Sequence, residues 1–348
     1  MAAMLTMEGE TKVQALLEVQ DLKTYFHLDE GVVKALDGVS FQVGRNTVLG
    51  IIGESGCGKS VTALSILRIV PRPGRIMHGT ITYRRDGEVL DLTAADPKGE
   101  LIRGVRGKEI SMVFQEPMSA LSPVHTIGSH IEEAILLHRK MDKTAARELA
   151  LDLLGNVGIP DPARAMRAYS YQLSGGMRQR AMIAIALSCD PSLLIADEPT
   201  TALDVTVQAQ IIDLLKKLKA QLGMSILYIT HDLGVIAEMT DSVLVMYLGR
   251  IVEHSDMRSV LKTPLHPYTQ RLIRSVPRIG RKARTRLDAI QGTVPVPLNP
   301  PWRCGFSGRC AQAIAGRCDV EVPALVEVAG GHRVRCFLHS DLAEPREV

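Results

Sequence analysis

The stretch Gly53-Glu54-Ser55-Gly56-Cys57-Gly58-Lys59-Ser60 decides how this chain is read. It is a complete G-x-x-x-x-G-K-[ST] phosphate-binding loop. Upstream, Thr47-Val48-Leu49-Gly50-Ile51-Ile52 reads as a buried strand. Downstream, the run from Val61 to Val70 carries an apolar helical face that stops at Pro71. Strand, loop and helix in that order are the context the motif requires. Its glycines let the backbone curl so that successive N–H groups point at phosphate oxygens, and the helix N-terminus adds positive potential. Lys59 is placed to reach β- and γ-phosphates, and the Ser60 hydroxyl to hold Mg²⁺. A glycine-rich turn that binds nothing is the bland alternative, and Lys59-Ser60 between strand and helix argues against it.

With 348 residues the chain can bury a large core, in one or two domains. Apolar residues make up 46% and charged residues 23%, a globular composition and not a disordered one. A formal net charge of +3 is too small to argue for a nucleic-acid partner. No apolar run approaches the ~18 residues of a membrane span; the longest lies near Ala181–Leu187. Glu8 and Glu10 precede the first Lys, without the basic-then-apolar pattern of a secretory signal. A phosphate loop also needs cytosolic ATP. The expectation is a soluble intracellular protein whose attachment to a membrane comes through a partner.

Residues 1–15 read as a loose start. Leu16 to Phe26 and Val32 to Val43 have strand character on either side of the turn Asp29-Glu30-Gly31, which predicts a hairpin. A second short hairpin is expected from Gly79–Tyr83 and Val89-Leu90-Asp91. Ile110-Ser111-Met112-Val113-Phe114-Gln115 is a strand ending in an amide. From Ile127 to Val157 the apolar spacing (Ile131, Ile135, Leu149, Leu153, Val157) is helical, so residues 116–173 read as a mostly helical insertion in an α/β domain. Then comes Leu173-Ser174-Gly175-Gly176-Met177, where Ser174 can cap the helix Ala181–Ser188 while the glycines leave N–H groups open to an anion. Ser192–Glu198 is a buried strand ending in the carboxylates Asp197 and Glu198. Ala202-Leu203-Asp204 leads into a helix, Val205–Leu222, closed by Gly223. The strand Ser225–Thr230 delivers His231 at its C-terminal end, the edge where ligands sit in open α/β sheets. A hairpin around Gly249 and a charged, proline-punctuated tail follow.

Taken together, these residues resemble the ATP-binding cassette (ABC) ATPases over about residues 16–255. The resemblance implies a RecA-like core sheet with an antiparallel β-subdomain and a helical subdomain (about 116–173) in residues 1–255, and a small cysteine-containing extension in 256–348. It places Phe26, or its neighbour Tyr25, against adenine, and residues Gly53–Ser60 with Val61 around the phosphates. Gln115 falls in the Mg²⁺ and attacking-water region, and Asp197, with Ser60, on Mg²⁺. Glu198 becomes the general base, His231 the γ-phosphate switch and Asp204 an inter-subunit contact. Leu173–Met177 becomes the signature that closes on ATP held by an opposing subunit. Chemistry read from the residues agrees: phosphoryl transfer to water needs charge neutralisation, an oriented water and a proton acceptor. Alone, Asp197-Glu198 would read as a solvated acidic turn and His231 as a structural histidine; the set gives them weight.

Finer features are similar to the dipeptide and oligopeptide importer branch: Phe114-Gln115-Glu116-Pro117-Met118-Ser119-Ala120-Leu121-Ser122-Pro123, Leu265-His266-Pro267-Tyr268-Thr269 and Pro301-Trp302-Arg303-Cys304-Gly305-Phe306. Two departures are Arg45-Asn46 before the first core strand and Tyr169-Ser170-Tyr171 before the signature; neither touches a catalytic position. The second lies where coupling to membrane subunits is expected. The branch implies a second ATPase subunit (self or paralogue), two membrane permease subunits, an extracytoplasmic solute-binding protein, no nucleic acid, and a peripheral position on the cytoplasmic face of the membrane. Nickel or oligosaccharide are alternative cargoes. A nucleic-acid-repair ATPase is disfavoured because residues 116–173 hold no heptad run, and a two-cassette translation factor because the chain carries one motif set.

Cys304, Cys310, Cys318 and Cys336 cluster after the proline-rich break Pro295–Pro301, while Cys57 and Cys189 lie apart. Intracellular clustering argues for metal ligation over disulfides. The intervening stretches 305–309, 311–317 and 319–335 fit neither the close pairs of zinc sites nor the common ferredoxin runs. The resemblance implies a [4Fe–4S] cluster, with Zn²⁺ as the alternative and four unligated thiols as the plain reading.

Overall fold

The computed structural model describes residues 15–85, 87–116, 120–201, 203–275 and 292–342. Residues 1–14, Pro117-Met118-Ser119 of the importer-like stretch, and Ala202 lie outside these ranges. The chain opens with the expected hairpin, β1 (Ala15–Leu28) and β2 (Gly31–Gly44). Next come β3 (Val48–Ile52), the phosphate loop and α1 (Lys59–Ile66), then β4 (Gly74–Arg85) and β5 (Glu88–Asp91). Strands β2-β1-β4-β5 form an antiparallel sheet, with Tyr83 opposite Leu90 in the second expected hairpin. After α2 (Glu100–Val105) and β6 (Ile110–Val113), three helices follow: α3 (Ile127–His138), α4 (Lys143–Asn156) and α5 (Pro162–Arg167). They make up the helical insertion. Then run α6 (Gly175–Leu187), β7 (Leu193–Asp197), α7 (Val205–Leu222), β8 (Ser225–Thr230), α8 (Leu233–Met239), β9 (Ser242–Tyr247) and β10 (Arg250–Asp256). The remaining labelled elements are α9 (Met257–Lys262), α10 (Pro267–Arg274), β11 (Val326–Ala329) and β12 (His332–Val334).

The main sheet has the order β11-β12-β10-β9-β3-β8-β7-β6, parallel from β9 to β6 and antiparallel beyond β9. Its parallel strands are apolar without a break because both faces are covered. The two-residue period splits them between two cores. Leu49, Ile51, Ile195, Leu227 and Leu244 face the antiparallel sheet and α1, joining Leu17, Val19, Phe41 and Ile81. Val48, Ile226, Tyr228, Val243 and Val245 face the other way, toward Ile183, Ile211, Leu215 and Ile236 of the helices. The tail hairpin β11–β12 extends the same sheet, with Val334 opposite Glu253.

The first helix is shorter than the sequence suggests. It ends at Ile66, and Arg68 takes a left-handed φ of 56° before Val70 is reached. The reason is tertiary: Arg106, just beyond α2, donates from Nε to the Leu67 carbonyl (2.6 Å) and from Nη2 to the Arg68 carbonyl (2.9 Å). Carbonyls that further helix would have paired are satisfied by a guanidinium distant in sequence. The other helix boundaries follow local signals. Asp142 caps α4, Ser174 caps α6, Asp204 caps α7 and Gly223 (φ 64°) closes α7.

Candidate nucleotide site

The parallel strands β3, β8, β7 and β6 end along one edge of the sheet, and the candidate residues project from those ends. The phosphate loop leaves β3 under tight steric control. A Cβ on Gly53 would lie 2.3 Å from the Met246 carbonyl oxygen, and one on Gly58 (φ 103°) 2.5 Å from that of Ala35. Glycine is required at both positions by close backbone approach. Gly58 is the N-cap of α1, so the first N–H groups of the helix open into the loop.

Lys59 is buried, and its ammonium donates to the carbonyls of Gly53 (2.8 Å) and Glu54 (3.3 Å). It also stands 3.8 Å from Glu198 Oε1. Glu198 follows β7 in a left-handed conformation (φ 46°) and is held there by its N–H donating to the Ile229 carbonyl at 2.8 Å. Such backbone strain in a non-glycine residue persists where the surroundings enforce it, and it clusters at functional sites. Around the carboxylate, Gln115 Nε2 (3.2 Å) and Thr201 Oγ1 (2.9 Å) meet Oε2, while His231 Nδ1 stands 3.3 Å from Oε1. Lys59, Gln115, Glu198 and His231, scattered through the sequence, therefore meet at one carboxylate.

Asp197 precedes it, buried at the end of β7. Burial pushes its carboxyl above the ordinary carboxylate value and the Glu198 charge adds to this; a hydrogen bond with Ser60 and the Lys59 charge oppose the rise. Oδ1 is buried and, among the described residues, has no hydrogen-bond partner. A buried anionic oxygen with no donor, beside the Ser60 hydroxyl, is a donor set of the hard oxygen kind that Mg²⁺ takes. These residues fit that ion.

A cleft of about 670 Å³ opens over the loop. One end is polar, with Ser55, Lys59, Ser60, Gln115 and Glu198; the other is apolar, with Val33 and Ala35 of β2 and the segment Val294–Pro297. Tyr25 and Phe26, expected against a base, are not among its lining residues. The Tyr25 hydroxyl donates to Asp37 (2.8 Å), and burial with that carboxylate pushes its pKa to about 12. The Phe26 ring packs over Gly74, where a Cβ would come within 2.6 Å of Cε1. The signature residues Leu173–Met177 also stand apart from this cleft. There Ser174 Oγ accepts from the Met177 N–H (3.3 Å), and a Cβ on Gly176 would lie 2.8 Å from Val207. Asp204 accepts from the Val207 N–H at 2.9 Å.

Sequence reasoning missed two groups at this site, the Val294–Pro297 segment and Arg309. Arg309 forms a two-pronged ion pair with the phosphate-loop residue Glu54, Nη1 to Oε2 at 2.8 Å and Nη2 to Oε1 at 3.1 Å. The Tyr268 hydroxyl receives the Glu54 N–H at 2.9 Å. No local pattern announces either contact, because the partners are more than 200 residues apart in sequence; the nearest signal is the Leu265–Thr269 stretch, which carries Tyr268.

The four tail cysteines are free thiols, and Cys304, Cys310 and Cys318 lie near enough to Cys336 to act on it electrostatically. Each meets a backbone N–H: Phe306 and Ser307 at Cys304, Gln312 at Cys310, Leu338 at Cys336, and Ile314 at Cys318 (3.3 Å). Burial, with a smaller contribution from the three companion thiols and against the Leu338 N–H, pushes the Cys336 thiol up to about 11. Among the described residues, however, no three His, Cys, Asp or Glu side chains form a group that would hold a metal ion. The expected [4Fe–4S] or zinc site is not formed among the described residues, each thiol instead meeting its own backbone N–H.

The comparisons match this geometry. Residues 36–201 fit the family model described as ABC transporter, and residues 252–318 that described as oligopeptide/dipeptide transporter, C-terminal region. The chain is 46% identical over 330 residues to the oligopeptide transport ATP-binding protein AppD of Bacillus subtilis, covering 94% of this chain and 98% of that one. It is 43% identical over 327 residues to the dipeptide transport ATP-binding protein DppD of Escherichia coli, covering 94% and 98%. Among solved structures it resembles a dimeric ATP-binding cassette in a post-hydrolysis state bound to ADP and Pi, with a TM-score of 0.61, 25% identity, and 70% of this chain and 99% of that one covered. With relatives this similar along nearly its whole length, and with the loop, the Asp197-Glu198 pair and His231 assembled at one sheet edge, the chain belongs to the ATP-binding subunits of ABC transporters.

Proposed function

We propose that this subunit hydrolyses ATP to drive uptake of di- or oligopeptides through separate membrane permease subunits. The observation that carries the ATPase reading is the meeting of Lys59, Gln115 and His231 on the Glu198 carboxylate, directly above the phosphate loop. The peptide reading is supported by the match of residues 252–318 and by the names of the relatives.

In this reading Lys59 exchanges the Gly53 and Glu54 carbonyls for β- and γ-phosphate oxygens. Glu198 accepts the proton of the attacking water, Gln115 orients that water, and His231 contacts the γ-phosphate. When bound through Ser60 and Asp197, with Gln115 beside them, Mg²⁺ supplies charge neutralisation on the phosphates. Because Leu173–Met177 lies outside the chain's own cleft, the signature serves the cleft of a second ATPase subunit, and Asp204 lies at that contact. Among the described residues no helix is long and apolar enough to cross a membrane. The names of the relatives support a subunit that works at the cytoplasmic face, bound to the permease pair that a solute-binding protein feeds. Uptake of labelled di- and oligopeptides in a deletion strain, complemented with wild type or Lys59→Ala, tests the cargo. Only wild type should restore peptide uptake; peptide uptake untouched by the deletion while nickel or oligosaccharide uptake falls would reassign it.

The four cysteines are proposed to take up an iron–sulfur centre, on the support of their clustering in sequence after Pro295–Pro301 and of the N–H donor at each sulfur, a feature that tunes thiolate-bound iron. Anaerobically purified protein should contain iron and sulfide and absorb broadly near ~400 nm. Stoichiometric zinc, or no metal, would refute the iron.

A further inference from the structure

The apolar end of the nucleotide cleft is built largely by a segment that the cassette itself does not contain. Val294-Pro295-Val296-Pro297 returns from the C-terminal extension and runs along β2. The Lys34 N–H donates to the Pro297 carbonyl (3.1 Å), the Asn299 N–H to the Val32 carbonyl (2.8 Å), and Val33 bridges Leu298. The Asn299 side chain closes the arrangement by accepting the Val32 N–H at 2.9 Å. At its start the segment is pinned to the phosphate loop: Arg309 Nη2 donates to the Gly292 carbonyl (2.9 Å) while the same guanidinium holds Glu54. This strap is therefore fixed at both ends, to β2 and to the loop.

Its chemistry is unlike the rest of the cleft. Val296 is 72% exposed, a large apolar side chain left in solvent over a site whose other end is charged. Two prolines limit how far the strap can move, and they remove N–H groups that an apolar ligand face would leave unpaired. A ligand with a charged tail and a flat apolar head matches that polarity, tail on Lys59 and Ser60, head between β2 and the strap.

We infer that Val294–Pro297 forms the wall against which the nucleotide base binds, with Arg309 as the positioning residue that sets the strap relative to the phosphate loop. The inference rests on the reading of the cleft as an ATP site. The strap makes the C-terminal extension part of the nucleotide site, and base binding depends on it while phosphate binding does not.

Titration calorimetry of the full chain with ATP and with inorganic tripolyphosphate, both as Mg²⁺ salts, separates the two ends of the cleft. Val296→Asn should weaken ATP binding about tenfold, the scale of losing one apolar side-chain contact, and leave tripolyphosphate affinity unchanged because no charge is added. Val296→Ala should do the same to a smaller degree, with thermal melting unchanged because the side chain is exposed. Unchanged or tighter ATP binding in the strap variants, or equal weakening of both ligands, would overturn the inference. Wild-type protein that bound neither ligand would instead overturn the ATP-site reading beneath it.

Discussion

Glu253, on β10, is fully buried and staples the extension to the cassette. Its two oxygens accept the N–H groups of Leu265 and His266, both at 2.8 Å, and His332 Nε2 stands 2.8 Å from Oε1. One side chain thus joins the last core strand to the start of α10 and to the tail hairpin. Glu253→Ala would leave two backbone donors and an imidazole buried without this partner. Each orphaned group costs roughly 1–3 kcal/mol, and relaxation or water entry recovers part of the sum, so a loss of about 3–5 kcal/mol is expected. Thermal melting should fall on the order of 10 °C. The same group sets an acid limit. Burial alone would push its carboxyl up, but the hydrogen bonds from His332, Leu265 and His266 outweigh that and hold it below its ordinary 4.5. A depressed carboxyl contributes stability that is fully present above its unfolded value and is lost as pH falls through the folded one. Melting of wild type should therefore drop steeply in acid, and Glu253→Gln, already destabilised at neutral pH, should show a shallower acid slope. A Glu253→Ala melting point within about 2 °C of wild type would refute the staple.

Two further outcomes follow from the site. Lys59→Ala removes the ammonium that now rests on the Gly53 and Glu54 carbonyls, so filter or calorimetric binding should show ATP affinity falling at least tenfold, with the protein still folded. Ser174→Arg places a bulky cation at a signature outside the chain's own cleft; ATP should bind near normally while steady-state turnover falls below a tenth of wild type, and lost binding would contradict the composite arrangement.

The sequence made the cassette legible because its signals are local. The phosphate loop declares itself in consecutive residues, the apolar runs of β3, β7 and β8 mark a doubly covered sheet, Ser174 caps the helix it precedes and Gly223 closes the one before it. What it hid depends on residues far apart. Arg106 ends α1 before the apolar pattern does, and Arg309 grips Glu54 across the whole cassette. The resemblance places Tyr25 or Phe26 at the base, but no local pattern announces that the Tyr25 hydroxyl meets Asp37 or that the Phe26 ring packs on Gly74. The strap was unreadable for a further reason. Pro297–Asn299 pairs with β2 through main-chain groups, and the short proline-rich stretch around it carries no periodicity to announce a contact.

The central claim is that this chain hydrolyses ATP with Glu198 as the proton acceptor, and the most direct test is steady-state phosphate release by purified wild type and Glu198→Gln with Mg-ATP. The substitution keeps the shape of the side chain and its hydrogen bonding with Gln115 and Thr201 but removes the basic oxygen. Turnover should fall by ~10²–10⁴-fold while ATP still binds. Near-normal turnover in Glu198→Gln, with loss of activity in His231→Ala instead, would contradict the assignment.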